Sequence, residues 1–253
     1  MKIAVVGDTH GNMTWLRNDV IPYARDSGCD LILQVGDFGF VWPQGAYENQ
    51  VSKLNRLLDG AGLRLLFLPG NHEDHAKLAR FTETAKVNDD GHYVLRSQIA
   101  YTGRVSSWVW EGRRLAAVGG AVSIDREWRV QQQRRSPRRT AIWWPEEVLS
   151  PEEVDEAKAF GTVDVLFTHD GPSDFPEGGL KPDLDSTANR QRMTDIGRAL
   201  RPRIWFHGHY HQRVTYGFRH DYGTCAVHCL DCDYSPRSKG VEILDLSTAR
   251  SQV

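Results

Sequence analysis

Five times along this chain a short apolar run stops at a segment rich in Asp, Asn and His. Residues 2–6 (KIAVV) lead into Gly7-Asp8-Thr9-His10, and residues 31–35 (LILQV) into Gly36-Asp37. Residues 63–68 (LRLLFL) lead into Pro69-Gly70-Asn71-His72-Glu73, and residues 163–167 (VDVLF) into Thr168-His169-Asp170. The fifth run, 203–206 (RIWF), ends at His207-Gly208-His209-Tyr210-His211. Short apolar runs without alternation read as strands buried on both faces, the habit of parallel sheets. Parallel strands carry their C-terminal ends to one edge, so the polar segments can converge there.

The intervening stretches agree. Residues 13–27 suit a helix with Trp15, Leu16, Val20 and Tyr23 on one face. Residues 47–59 suit a second, with Val51, Leu54, Leu57 and Leu58 inward and Gly60 and Gly62 closing it. Strand and helix in alternation imply βαβ units and a mainly parallel sheet. Residues 93–122 carry shorter runs (YVL, WVW, and LAAV before Gly119-Gly120), expected as antiparallel strands. Residues 123–145 hold Arg126, Arg129, Arg134, Arg135, Pro137, Arg138 and Arg139, then Trp143-Trp144-Pro145. They are expected as a long surface loop or insertion, a flap of the kind that tends to carry function. Ser150, Pro151 and Glu153 spell an N-cap, N1 and N3 for a helix to about residue 160. Residues 186–200 suit a helix, and 213–246 three antiparallel strands. No repeat or boundary divides the chain, so residues 1–253 are expected as one α/β domain with an Arg/Trp-rich insertion at about 123–145.

A net charge of −2 gives no global attraction to nucleic acid or membrane. No apolar stretch approaches the roughly 20 residues of a membrane span. A secretory leader would have to be cut through the segment at Asp8, so a cytoplasmic location is expected. The four cysteines, Cys29, Cys225, Cys229 and Cys232, fit a reduced compartment. Cys225, Cys229 and Cys232 beside His228 have the spacing C-x3-C-x2-C, without a second paired knuckle. They are expected as buried thiols on a strand and not as a zinc site.

Carboxylates, an amide and imidazoles together suit manganese, iron, zinc or cobalt better than calcium. Residues i and i+2 of an extended segment point the same way, which makes Asp8/His10 and His209/His211 sensible pairs. In this order the segments DTH, GDFG, GNHE, a lone His after a strand, and GHYH closely resemble the calcineurin-like metallophosphoesterase superfamily. The resemblance spans residues 8–211 and implies an αββα sandwich: two packed mixed sheets flanked by helices, with a dinuclear metal site at strand C-terminal ends. It assigns one divalent ion to Asp8, His10 and His211, the other to Asn71, His169 and His209, and makes Asp37 the shared ligand. Manganese is the first expectation, with iron, zinc, nickel or cobalt as alternatives. The implied chemistry is attack on phosphorus by metal-activated hydroxide without a covalent enzyme intermediate. Asp37 and His72 are then the catalytic residues, with His72 contacting phosphate and protonating the leaving oxygen. Glu73 is expected to orient a histidine, Asp170 to support the site or to be solvated, and His207 to sit outside the ligand set.

The expected substrate is a small phosphoester. Gly36-Asp37 is followed by Phe38-Gly39-Phe40, without the arginine of the protein-phosphatase pattern GDxVDRG. A phosphodiesterase or phosphatase acting on nucleotides or nucleic-acid ends is therefore favoured. A protein Ser/Thr phosphatase, or a non-catalytic scaffold for a protein partner, is the alternative. Arg126, Trp128 and Arg129 are the candidate substrate contacts, with Trp143 and Trp144 as further stacking faces. No membrane association and no stable protein partner are expected.

Overall fold

The apolar runs form strands that alternate their side chains between two buried layers. The computed structural model describes residues 1–42, 47–136, 141–176, 184–221 and 223–248. Arg138 and Arg139 of the arginine-rich segment, with Pro137, lie outside the described residues. One six-stranded sheet has the order β12-β1-β2-β3-β5-β4. Its strands are β1 (Lys2–Val6), β2 (Leu31–Val35), β3 (Arg64–Leu68), β4 (Tyr93–Arg96), β5 (Ile99–Tyr101) and β12 (Val241–Asp245). The second has the order β10-β11-β9-β8-β7-β6. It is built from β6 (Val105–Trp110), β7 (Arg113–Val118), β8 (Val165–Thr168), β9 (Ile204–His207), β10 (Val214–His220) and β11 (Gly223–Cys229).

Three apolar layers follow. Ile3, Val5, Leu33, Val35 and Leu66 of the first sheet pack against Leu115, Ala117, Val165, Phe167 and Phe206 of the second. The alternate residues Ala4, Val6, Ile32, Leu65 and Phe67 face an outer layer. That layer comes from α1 (Met13–Trp15), α2 (Ile21–Asp26), α3 (Tyr47–Ala61) and α4 (His75–Thr84). On the far side, Ala116, Val118, Leu166 and Trp205 meet α6 (Pro151–Ala159) and α7 (Leu184–Leu200). The expected αββα sandwich is therefore the fold. Two helices lie outside these layers, α5 (Arg126–Arg135) and the short α8 (Arg237–Gly240). Among the described residues no helix is long and apolar enough to cross a membrane.

Several elements differ from expectation for identifiable reasons. The helix expected over 13–27 is interrupted by a π turn, Leu16–Val20, in which Ile21 N–H reaches back to Leu16 O. Pro22 follows and has no N–H to return to the regular pattern. In residues 93–122 only β4/β5 and β6/β7 pair antiparallel, while β5 runs parallel to β3 and β7 parallel to β8. The three C-terminal strands split between sheets: β10 and β11 pair together, β11 runs parallel to β9, and β12 joins β1. Within the expected surface loop, residues Arg126–Arg135 form a helix. The capping box at Ser150 and Glu153 forms as expected.

Candidate metal centre

The polar segments meet because β1, β2 and β3 are mutually parallel, as are β8 and β9, and the two sheets stack. Asp8 follows β1, Asp37 follows β2, Asn71 and His72 follow β3, His169 follows β8, and His209 and His211 follow β9. Ligand atoms of Asp8, His10 and His211 lie within 4.8 Å of one another, and so do those of Asp8, Asp37 and His169. Asp37 is central. Its Oδ1 accepts from His72 N–H at 2.7 Å and faces His169 Nε2 at 3.3 Å, while Oδ2 faces His10 Nε2 at 3.5 Å. Asn71 Oδ1 lies 3.0 Å from His169 Nε2. His209 donates its backbone N–H to Asp8 Oδ1 at 3.1 Å, and its ring lies 5.1 Å from that of His169. Its imidazole joins neither trio of closely spaced ligand atoms.

The backbone is bent hard to bring these groups together. His10, Asp37, His209 and His211 all have positive φ, between 42° and 71°. Non-glycine residues rarely adopt this region, and such strain concentrates at functional sites. Gly36 also has positive φ, and a Cβ there would stand 2.2 Å from His169 Nδ1. At Gly208 a Cβ would stand 2.2 Å from Asp8 Oδ1. The glycines thus let imidazole and carboxylate approach the opposite loop.

The tautomers leave ligand nitrogens facing inward. His169 Nδ1 donates to the Val35 carbonyl at 2.9 Å, and His10 Nδ1 meets Asp233 Oδ1 at 2.8 Å. In both rings Nε2 is the nitrogen turned to Asp37. Burial opposes charge on these rings, but Asp37 and Asp8 outweigh it, raising His169 to about 10 and His10 to about 9. Against the same balance, burial raises Asp37 and the surrounding imidazoles bring it well below the ordinary carboxylate range. Protons here do the work of counter-ions, a place a divalent cation takes by displacing them. One atom tests the fit of a metal directly. Among the described residues Asp8 Oδ2 is buried without an aligned hydrogen-bond donor, although His211 Nε2 lies 3.1 Å away. A carboxylate oxygen rarely stays so unless an ion completes it, and the oxygen and imidazole donors around it suit a divalent transition metal.

His72 and the expected substrate contacts are arranged less simply. Arg129, on α5, is only 5% exposed, and its guanidinium lies 2.6 Å from His72 Nε2. The same nitrogen of Arg129 lies 3.2 Å from His72 Nδ1, and because a guanidinium only donates, the ring offers it a lone pair and not a proton. Burial, then the Arg129 charge, pushes the His72 pKa down against the pull of Asp37. Arg126 pairs with Asp185. Trp128 is 57% exposed, whereas Trp144 is buried against Trp42 and is an anchor and not a stacking face.

Other residues surround the ligand loops. Glu73 does not orient a histidine: its buried carboxylate accepts Gly39 N–H at 3.0 Å and Gly70 N–H at 2.6 Å, tying two loops together. Burial, with Asp37 nearby, raises it to about 7. Asp170 is buried and accepts from Tyr210 Oη and Asn189 Nδ2. His207 is buried at the strand end, with Nε2 2.9 Å from Tyr216 Oη. The cysteines are free and buried, and among the described residues none belongs to a metal-type cluster. Sequence reasoning missed Asp233, Tyr234, Ser123 and Glu147. Asp233 holds His10 and Asn12, and Tyr234, 83% exposed, stacks toward His10 at 6.2 Å. The available signal was Asp231-Cys232-Asp233, a carboxylate segment just past a strand end.

A model of the calcineurin-like phosphoesterase family matches residues 1–213. No curated protein matches the chain. Among solved structures, TT1561 of Thermus thermophilus aligns over 98% of this chain and 99% of its own, at 14% identity and a TM-score of 0.56. That likeness shows the fold alone. A hypothetical protein from the same organism (15% identity, 92% and 77% covered, TM-score 0.47) and a phosphatase from Mycoplasma pneumoniae (11%, 92% and 72%, 0.44) are more distant.

Proposed function

The chain belongs to the calcineurin-like phosphoesterase family, and from that premise we propose that it is a divalent-metal-dependent hydrolase of small phosphoesters, acting on nucleotides or nucleic-acid ends. The observation that carries this reading is the convergence of Asp8, His10, Asp37, Asn71, His169 and His211 on loops held at strained φ. In this reading Asp8, His10 and His211 hold one ion, Asn71, His169 and His209 hold the other, and Asp37 serves both. Manganese is the first choice of ion. When bound, such a pair supplies Lewis acidity, making water acidic enough to attack at neutral pH and neutralising charge on phosphoryl oxygens.

The chain's own residues supply the rest. Val35 O and Asp233 fix the rings of His169 and His10 so that Nε2 faces inward. Arg129 brings a fixed positive charge beside His72, suited to an anionic phosphoryl group. A His72 nitrogen that accepts from Arg129 carries no proton, so His72 can protonate a leaving oxygen only after Arg129 has moved to the substrate and that nitrogen has taken up a proton from solvent, and the two act as a pair. The nucleotide part rests on exposed aromatic faces for a base: Tyr234, stacked toward His10, and Trp128, the chain neighbour of Arg129. Val41 stands where the protein-phosphatase pattern has its arginine, and it is buried in the core with Phe38, Phe40 and Phe67. A protein-phosphatase reading therefore has no support there.

The test is hydrolysis of bis-p-nitrophenyl phosphate and p-nitrophenyl phosphate, followed by cyclic nucleotides and nucleoside monophosphates. Turnover is expected with Mn²⁺ and is expected to vanish in Asp37→Asn and His209→Ala while both variants stay folded. Folded protein inactive with Mn²⁺, Ni²⁺, Co²⁺ and Zn²⁺ on every substrate would refute the enzyme reading. Activity retained in Asp37→Asn would refute the shared-ligand assignment.

A further inference from the structure

The segment between β7 and α6 touches one motif loop twice. Arg129 meets His72, and Ser123, at the start of the segment, meets the adjacent Asn71. The segment then returns through Trp144 to a 3-10 turn, Pro145–Glu147, which places Glu147 against Ser123. Ser123 donates its N–H to Glu147 Oε1 at 2.7 Å and its hydroxyl to Oε2 at 2.6 Å. Ser123 Oγ lies 3.0 Å from Asn71 Nδ2. Asn71, Ser123 and Glu147 are all buried, away from bulk solvent.

The polarity of this chain of bonds is forced. A carboxylate accepts, so the single hydroxyl proton of Ser123 goes to Glu147. Ser123 Oγ is left with lone pairs only and must receive from Asn71, which selects the NH₂ end of the amide. The carbonyl end then points the other way, to within 3.0 Å of His169 Nε2. An amide reversed about its last bond would offer NH₂ to the ion, and an amide nitrogen with its two hydrogens is no ligand. We infer that Ser123 and Glu147 are positioning residues that fix the orientation of the Asn71 amide and so control loading of the second of the two metal sites. The inference rests on the dinuclear reading above and gives the base of the Arg/Trp-rich segment a role distinct from substrate contact.

Calorimetric titration of the metal-free, full-length protein with Mn²⁺ tests it, with metal analysis after dialysis as a second measure. Wild type is expected to bind two ions. Ser123→Ala should bind the ion at Asp8, His10 and His211 normally and the second roughly 10–100-fold more weakly, the usual loss when a partner of a metal ligand is removed. Ser123→Thr keeps the hydroxyl and should restore the second ion. Glu147→Gln keeps the volume, yet its amide can donate to Ser123 and release the hydroxyl proton toward Asn71. It should weaken the same ion and is the variant to read if Ser123→Ala fails to fold. Two ions bound with wild-type affinities in both Ser123→Ala and Glu147→Gln would overturn the inference alone. Fewer than two in wild type would overturn the dinuclear reading and the inference with it.

Discussion

At the scale of single residues, the site is a small volume crowded with groups that would repel or lie unpartnered without an ion or a substrate. Arg129 stands beside that volume as a buried guanidinium paired with Asp125 and a histidine, with no bond to Asp8 or Asp37 among the described residues. If it binds phosphate, Arg129→Ala should raise KM for a charged phosphoester about 10–100-fold, from the ~1.5–3 kcal/mol typical of a hydrogen bond to a charged group. Arg129→Lys should recover only part, because an ammonium lacks the fork that matches two oxygens. Steady-state kinetics on a nitrophenyl ester would show it, and an unchanged KM would exclude phosphate contact. Away from the site, His92 lies buried edge-on to Trp108 and Trp110, its Nε2 without a partner among the described residues, and burial pushes its pKa down to about 4. Its folded value is below the unfolded one, so its neutral form favours folding above about pH 6.5, and that stability is lost as pH falls toward 4. His92→Phe should therefore shrink the stability lost between pH 7 and pH 4.5 by up to roughly 3 kcal/mol. Urea titrations at both pH values measure this, and equal losses in the two proteins would show that His92 takes up a proton as readily folded as unfolded. The proposed ligand residues stood out in the sequence because each sits just past a strand. Ser123, Glu147 and Asp233 did not, since their roles depend on distant loops: Glu147 is 24 residues from its partner and Asp233 is 223 residues from His10.

Elements were readable where an apolar period exists. The runs at β1, β2 and β3 and the face of α3 name their own structure, and Ser150 with Glu153 marks the start of α6. Replacing Ser150 by Ala removes its bond to Glu153 N–H and should cost about 1 kcal/mol in urea denaturation. Activity should be unchanged, as α6 packs on the far face of the second sheet. A loss beyond about 2 kcal/mol would mean the cap does more than satisfy a helix end. Helix α5 defeated the same reading because its sequence, REWRVQQQRR, has no apolar face. Its one buried side chain is Arg129, held by Asp125 one turn earlier and by His72 below. A helix that turns its inward charge to the loop at His72 looks, in sequence, like a solvated stretch. Strand pairing was similarly hidden: β12 alternates like β10 and β11, and nothing local says that it crosses to β1.

For the molecule as a whole, the proposed ions would tie together the two sheets as well as the reacting groups. Asp8, Asp37 and Asn71 come from the ends of β1, β2 and β3 in one sheet; His169, His209 and His211 come from β8 and β9 in the other. Without metal, the two sets are joined at this edge by bonds such as His169 Nδ1 to Val35 O and by imidazoles near Asp37 and Asp8. An ion that binds only when both sets are in register stabilises the folded state by mass action, about 2.7 kcal/mol at a free concentration 100-fold above Kd. Chelation should therefore lower Tm by several degrees, and Mn²⁺ should restore it. Asp37→Asn removes the ligand both ions share, so its Tm should respond little to either treatment. The apolar layer between the sheets, with Phe167 stacked on Phe206, remains in every case. The chelated protein should accordingly stay folded and lose only the increment. Differential scanning calorimetry with EDTA, then with excess Mn²⁺, measures both proteins under one protocol. A wild-type Tm indifferent to metal would mean that the two sheets hold their register without an ion, and an Asp37→Asn response equal to wild type would take Asp37 out of the ligand set.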